Sequence, residues 1–277
     1  MDLKMLASDI SKVYMKNPKV EAVLLGGSVA RNWNDKYSDI ELFIFWKGSP
    51  SEEERKDSIH AVEGEIIDFH PYEDKEWSET YITQGVKLEI SNFLTSTIED
   101  IINDVIIRFD INIDKQCLVA SIHDGIALNG EGIIRRFKEK VNIYPRELSI
   151  AMINNNIYLG NRWSNREALV EREDWLMLYR VMTSVQNNIM GILFGLNSLY
   201  VHHPAFKWQK QSLLKMAIAP ENISDRLSSV LIDHPKKGVK ELEGIIQEIY
   251  GFIESEFPTI DLSKVKDKTQ FLRPKQI

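Results

Sequence analysis

Two short runs near the start of the chain hold residues whose types and spacing suit phosphoryl chemistry. Leu24-Leu25-Gly26-Gly27-Ser28-Val29-Ala30-Arg31 sets paired glycines and a serine directly after an apolar run. Glycines let backbone N–H groups come close to a polyphosphate, and a serine hydroxyl and the turn that follows add donors for its oxygens. Arg31 is a further candidate for a phosphate oxygen. Downstream, Tyr37-Ser38-Asp39-Ile40-Glu41-Leu42 places two acids two residues apart within an apolar stretch. On a strand both carboxylates leave from one face, roughly 6.6 Å apart along the backbone. Hard oxygen ligands so placed suit one or two magnesium ions, and a cation is the expected third party where two carboxylates would otherwise repel. Glu52/Glu54, Glu63/Glu65 and Glu171/Glu173 share the spacing but interrupt no apolar strand, so they carry no such expectation.

The elements that must position these residues can be read from periodicity. Leu3, Met5, Leu6, Ile10 and Val13 recur at helical spacing and predict an amphipathic helix over 2–16. Val20 to Leu25 and Ile40 to Trp46 read as strands, as do the shorter runs 66–70 and 86–90. Ser49, Pro50 and Glu52 offer the start of a helix to about Glu63, and Ser96 with Glu99 repeats the capping-box spacing for a helix to Arg108. Gly125, Gly130 and Gly132 mark a change of character. Beyond them helical patterns run over 131–140, 146–163, 166–200, 206–218 and 235–256, and the polar tail after Pro258 is expected to wrap the surface. The fold class that follows is α+β, with a mixed sheet and helices in an N-terminal domain over 1–128 and an all-helical domain over 129–277.

Composition narrows the function classes. A formal charge of −7 over 277 residues argues against a nucleic-acid grip, which needs a basic surface. The single cysteine, Cys117, forms no intrachain disulfide, no zinc-type spacing is present, and the longest clean apolar run, Ile189 to Leu196, is too short to span a bilayer. With no signal-peptide core at its start, the chain reads as soluble and cytoplasmic.

Gly27-Ser28, a gap of ten residues and Asp39-x-Glu41 are similar to the signature of the DNA-polymerase-β-like nucleotidyltransferase superfamily. The run Gly27 to Glu41 resembles the kanamycin-type antibiotic nucleotidyltransferases, and Lys87-Leu88-Glu89-Ile90 resembles the strand that brings another acid in that family. The likeness covers about the first 95 residues; separately, in the helical half, Leu196 to Tyr200 followed by His203 to Trp208 is similar to a segment of uncharacterised bacterial nucleotidyltransferases. The resemblance implies that Asp39, Glu41 and Glu89 are magnesium ligands, two ions being expected, and that Gly27 and Ser28 hold a nucleoside triphosphate, ATP being favoured. The acceptor implied is a small hydroxyl-bearing molecule, an antibiotic among the candidates, with pyrophosphate released. A protein or tRNA acceptor, as in toxin-like relatives, and a non-catalytic nucleotide- or partner-binding module are the alternatives. Nothing in the sequence sets the oligomeric state.

In the helical half, aligning Asn161-Arg162-Trp163 with a similar stretch of the family puts Asn155 where its members carry a glutamate base, and an amide cannot take a proton at neutral pH. Asp174 and Glu171, three apart on the expected helix 166–200, are the candidate replacements, Asp174 the better one because it precedes an apolar run. Lys207, beside Trp208, is a candidate for a phosphate.

Overall fold

The computed structural model describes residues 2–275; Met1, Gln276 and Ile277, at the ends of the two expected domains, lie outside the described residues. Helix α1 (Leu3–Tyr14) starts under Asp2, whose carboxylate accepts from the backbone N–H groups of Lys4 and Met5. Its buried stripe is Leu6, Ala7, Ile10 and Tyr14, the face an amphipathic helix turns to a core. Strand β1 (Val20–Leu25) passes into the single turn α2 (Gly27–Ala30), and β2 (Ile40–Trp46) follows. Helix α3 (Glu52–His60) is capped by Ser51 rather than Ser49: its hydroxyl accepts from Glu54 N–H, and the Glu54 carboxylate accepts from Ser51 N–H.

Strands β3 (Glu65–Phe69), β4 (Trp77–Thr83) and β5 (Val86–Leu94) come next. Helix α4 (Thr95–Ile106) lacks the expected box, since its cap position, Leu94, has no side chain to offer. Glu99 pairs instead with Arg136 at 2.9 Å and Lys140 at 3.7 Å. Helix α5 (Ile113–Asp124), strand β6 (Ile126–Asn129) and helix α6 (Glu131–Val141) complete this part of the chain.

The strands form one mixed sheet in the order β3-β4-β5-β2-β1-β6. Only β2 and β5 run parallel; every other neighbouring pair is antiparallel. One face is a continuous apolar core in which Ile40, Leu42, Ile44 and Trp46 of β2 and Leu88 and Ile90 of β5 meet Leu6, Ile10 and Tyr14 of α1. The alternate residues of β2 and β5 therefore point the other way, among them Glu41 and Glu89. Toward Trp46 that second face is closed by aromatics, Phe45 meeting Phe137 of α6 edge-on at 5.8 Å. The first compact unit runs through Arg108 and resumes over Asp114–Ile143, so α6 belongs with the sheet rather than with the helices after it.

The second compact unit holds Phe109–Ile113 and the chain from Tyr144 onward. Its helices are α7 (Arg146–Asn156), α8 (Arg166–Glu171), α9 (Trp175–Leu196), α10 (Gln209–Leu214), α11 (Ile223–Ile232), α12 (Pro235–Glu256) and α13 (Ser263–Gln270), with a 3-10 turn at Trp163–Asn165. Helix α9 is its axis: α7, α11 and α12 pack on it, and Leu178, Met182, Val185, Ile189 and Leu193 are buried there. The continuous helix expected over 166–200 is broken after Glu171. Glu173 takes a left-handed φ of 56°, and Asp174 becomes the N-cap of α9. The polar tail after Pro258 contains α13. Among the described residues no helix is long and apolar enough to cross a membrane.

Candidate functional site

The glycine turn is built against β2. Gly26 N–H donates to the Glu41 carbonyl at 2.9 Å, which ties the loop to the strand that carries the acids. Gly27 has a φ of 62°, in the left-handed region where a side chain is strained. A Cβ on Gly27 would sit 2.2 Å from Glu41 Oε1, so the Glu41 carboxylate fills the space that glycine leaves. Ser28 is buried behind it. The Glu41 carboxylate therefore packs directly against Gly27.

The parallel register then sets Glu89 opposite Glu41, with Leu88 opposite Ile40. Partners in register share a face, so Glu41 and Glu89 stand side by side, with Asp39 two residues before Glu41. Lys87, two residues before Glu89, lies in the same group. Its ammonium hydrogen-bonds the Glu89 carboxylate and is 3.5 Å from Asp39 Oδ2. Glu89, and behind it Asp39, hold that ammonium above the usual lysine range, against a partial desolvation that pulls it down. Lys87 is the member that the residue pattern did not single out; its one sequence signal is the i, i+2 spacing to Glu89.

Three carboxylates on one face are the hard donors a divalent cation takes, and the space at Gly27 lets one of them reach the glycine turn. In the arrangement described, Asp39 and Glu89 turn to Lys87, and among the described residues no three acidic, histidine or cysteine side chains converge as a metal cluster. A cavity of about 400 Å3 lies at Asp39, lined by Asn34, Lys36, Tyr37 and Ser38 of the loop before β2 and by Asp39 and Lys87; neither Glu41 nor Glu89 lines it. That loop is ordered by its own polar groups: Asp35 Oδ1 accepts from Tyr37 N–H at 2.8 Å, and the Ser38 hydroxyl accepts from Asp35 N–H at 2.9 Å.

Arg31 is not a solvated surface arginine. Its side chain is nearly buried, Nε donating to Asp124 Oδ2 at 2.8 Å, and its guanidinium stacks over Trp33. Nη2 is buried without a hydrogen-bond partner. Cys117 on α5 lies within electrostatic reach of Arg31 and Glu41, but burial, with Asp114 and Glu41 adding to it, pushes its thiol up to about 12, so it supplies no thiolate.

Asp174 and Lys207 belong to the second unit. Asp174 is exposed at the start of α9 rather than turned to the buried side, and the break after Glu171 removes the common helix face the two acids were expected to share. Glu171 is exposed and pairs with Lys275 at 2.5 Å. Lys207 is exposed, its ammonium 6.0 Å from the Trp208 ring centre.

A mixed sheet with a glycine turn packed against an acid-bearing strand, followed by a helical unit, is the arrangement that the resemblance to the DNA-polymerase-β-like nucleotidyltransferases implies. Comparison with known families agrees: residues 9–107 match the nucleotidyltransferase domain, and residues 111–209 match a domain of unknown function, DUF4037. The N-terminal domain belongs to that nucleotidyltransferase family, and the protein is an enzyme of that class. No curated protein is matched by sequence. Among solved structures, a nucleotidyltransferase-like protein from Exiguobacterium sibiricum aligns over 93% of this chain and 81% of its own, at 11% identity and a TM-score of 0.41. The Cid1 poly(U) polymerase aligns over 44% of this chain and 39% of its own, at 12% identity and a TM-score of 0.29. Superpositions this loose carry no argument, and the assignment rests on the family match.

Proposed function

We propose that this enzyme transfers a nucleoside monophosphate, AMP in the favoured case, from a nucleoside triphosphate to a hydroxyl of a small acceptor, an antibiotic being one candidate, and releases pyrophosphate. The observation that carries the reading is the placing of Glu41 between two partners, Gly27 beneath its carboxylate and Glu89 beside it in register. On this reading triphosphate recognition and acid chemistry fall on one spot of the sheet.

The backbone of Gly27 and Ser28, with the Ser28 hydroxyl, would receive phosphate oxygens, and the unsatisfied Nη2 of Arg31 is a further donor. Asp39, Glu41 and Glu89 would hold magnesium, whose contribution when bound is to neutralise the polyphosphate. The cavity lined by Lys36, Tyr37 and Lys87 reaches Asp39 and offers room for the rest of a substrate. The acceptor oxygen bonds to the α-phosphorus as the bond from that phosphorus to the pyrophosphate oxygen breaks. The acceptor proton passes to a carboxylate, Glu89 being the candidate on the sheet.

The test is thermal melting with ATP, GTP, CTP or UTP, each with and without magnesium, in wild type and Asp39→Ala. A donor at about 100 times its Kd adds about 2.7 kcal/mol, a shift of a few degrees. The expected result is a shift, largest with ATP, that needs both magnesium and Asp39. No shift with any triphosphate would sink the donor site.

A further inference from the structure

We propose that the helical unit carries an oxyanion site of its own, a groove of about 440 Å3 in which Arg162 and Arg180 take a phosphate monoester. One wall is the chain after α7, with Gly160, Asn161 and Arg162; the other is the α9 face that carries Arg180 and Ser184. Residues four apart on a helix share a face, so Arg180, Ser184 and Asn188 form one row along α9.

The lower end of that row holds the opposite wall in place. Asn188 Nδ2 donates to the carbonyl of Asn156 at 2.9 Å and to that of Tyr158 at 3.0 Å. The Tyr158 hydroxyl donates to Asn161 Oδ1 at 2.6 Å, and the Ser164 hydroxyl donates to the Asn161 carbonyl at 2.8 Å. Gly160 makes the turn between them at a φ of 80°. The wall that bears Arg162 is therefore fixed before any ligand arrives, which lowers the ordering cost of binding.

The charges of the groove are uncompensated. No acid lines it, and among the described residues neither Arg162 nor Arg180 forms an ion pair. Two other arginines of the unit are paired: Arg166 with Glu243 at 2.6 Å, and Arg226 with Glu241 at 2.5 Å and Glu248 at 2.7 Å. Two guanidinium groups on one groove repel until an anion lies between them. Each presents a planar fork that matches phosphate oxygens two at a time. A phosphate monoester carries nearly two charges at neutral pH, so it answers both arginines where a single carboxylate answers one. Asn161 Nδ2 and the Ser184 hydroxyl add neutral donors to the same groove.

As a handle on an acceptor the site rests on the transferase reading above; as an anion site it stands by itself, and binding without turnover reads it. The experiment is thermal melting of the full chain titrated with inorganic phosphate, with acetate at matched ionic strength as the second arm. It is run in the Asp39→Ala background, so that the proposed donor site contributes least. Phosphate is expected to raise the melting temperature, and acetate is not. The added substitutions Arg162→Ala and Arg180→Ala, both at exposed positions, are expected to weaken phosphate binding about tenfold, and the lysine pair to restore part of it. Phosphate binding undiminished by the alanine pair, no phosphate binding at all, or equal protection by acetate would each overturn the proposal. The transferase reading fails on the nucleotide arm described above and this one on the arginine arm, so the two failures are separable.

Discussion

At the scale of single residues, Gly27 is where conformation and chemistry meet. Its φ of 62° costs any other residue about 1–2 kcal/mol, and a Cβ would sit 2.2 Å from Glu41 Oε1 and 2.4 Å from Glu41 Cδ. The far end of a glutamate can swing aside, so the steric part is relieved cheaply, but only by moving the acid that the donor site needs. Gly27→Ala is therefore expected to lower stability by about 1–2 kcal/mol in denaturant unfolding and to abolish the magnesium-dependent nucleotide shift. A variant that lost the stability yet kept the full shift would show that Glu41 does its work elsewhere. Lys87 is the other residue whose place matters, because its ammonium holds Asp39 and Glu89 turned toward itself. The donor-site reading requires those two carboxylates to turn from lysine to cation.

At the scale of elements, the acid-bearing strands are held in register from behind. On the core face, Trp46 Nε1 of β2 donates to Asn92 Oδ1 of β5 at 2.9 Å, Asn92 Nδ2 donates to Glu79 Oε1 of β4 at 2.9 Å, and Arg55 Nη1 of α3 donates to Glu79 Oε2 at 2.8 Å. The Arg55 and Glu79 side chains are 3% and 0% exposed, so removing one leaves the other a buried, uncompensated charge. Arg55→Met is expected to cost about 3–5 kcal/mol. Burial raises Glu79 to about 7, while Asn92 and Arg55 pull it down. A carboxyl raised on folding gives stability that is complete below its unfolded pKa and is lost as pH rises through the folded value. Without Arg55 the folded value moves higher still, so the loss in Arg55→Met should be smaller near pH 5 than near pH 8 by denaturant unfolding. A loss independent of pH would mean that Glu79 does not titrate in the fold. This network also shows why β4 was not legible: Ser78, Glu79 and Thr80 read as a polar stretch, and only Arg55 and Asn92 make a buried glutamate there tolerable. The strands β1 and β2 were legible because their cores are apolar, and the glycine turn and the Asp39-x-Glu41 pair because both are local. Helix α5 was not, because its buried residues include Gln116 and Ser121 rather than an apolar stripe. The pairing of Glu41 with Glu89 depends on a parallel register between strands far apart in sequence, and spacing along the chain holds no record of it. The break between α8 and α9 contains neither proline nor glycine, so nothing in the residue types announced it.

At the scale of the whole molecule, net charge bears on which acceptor the enzyme takes. A polynucleotide is gripped through many phosphates, and each one neutralised steepens the salt dependence of binding by about 0.7–0.9 in log–log slope. This chain has a formal charge of −7 and a sequence pI of about 5.5, so its long-range field repels RNA rather than gathering it. The arginine groove of the helical unit offers two cations, which match one phosphate group and would give a slope no steeper than about −2. Fluorescence anisotropy with labelled tRNA and single-stranded RNA across a salt series is therefore expected to show no tight binding near physiological ionic strength and no slope beyond that value. The same measurement in Arg162→Ala/Arg180→Ala should weaken that residual binding further and flatten its slope. Tight binding with a slope of about −5 or steeper would require six or so phosphate contacts and a basic surface on the assembled molecule. The acceptor would then be a polynucleotide end, and the small-molecule reading would give way to the toxin-like one while the donor chemistry at Asp39, Glu41 and Glu89 stayed as proposed.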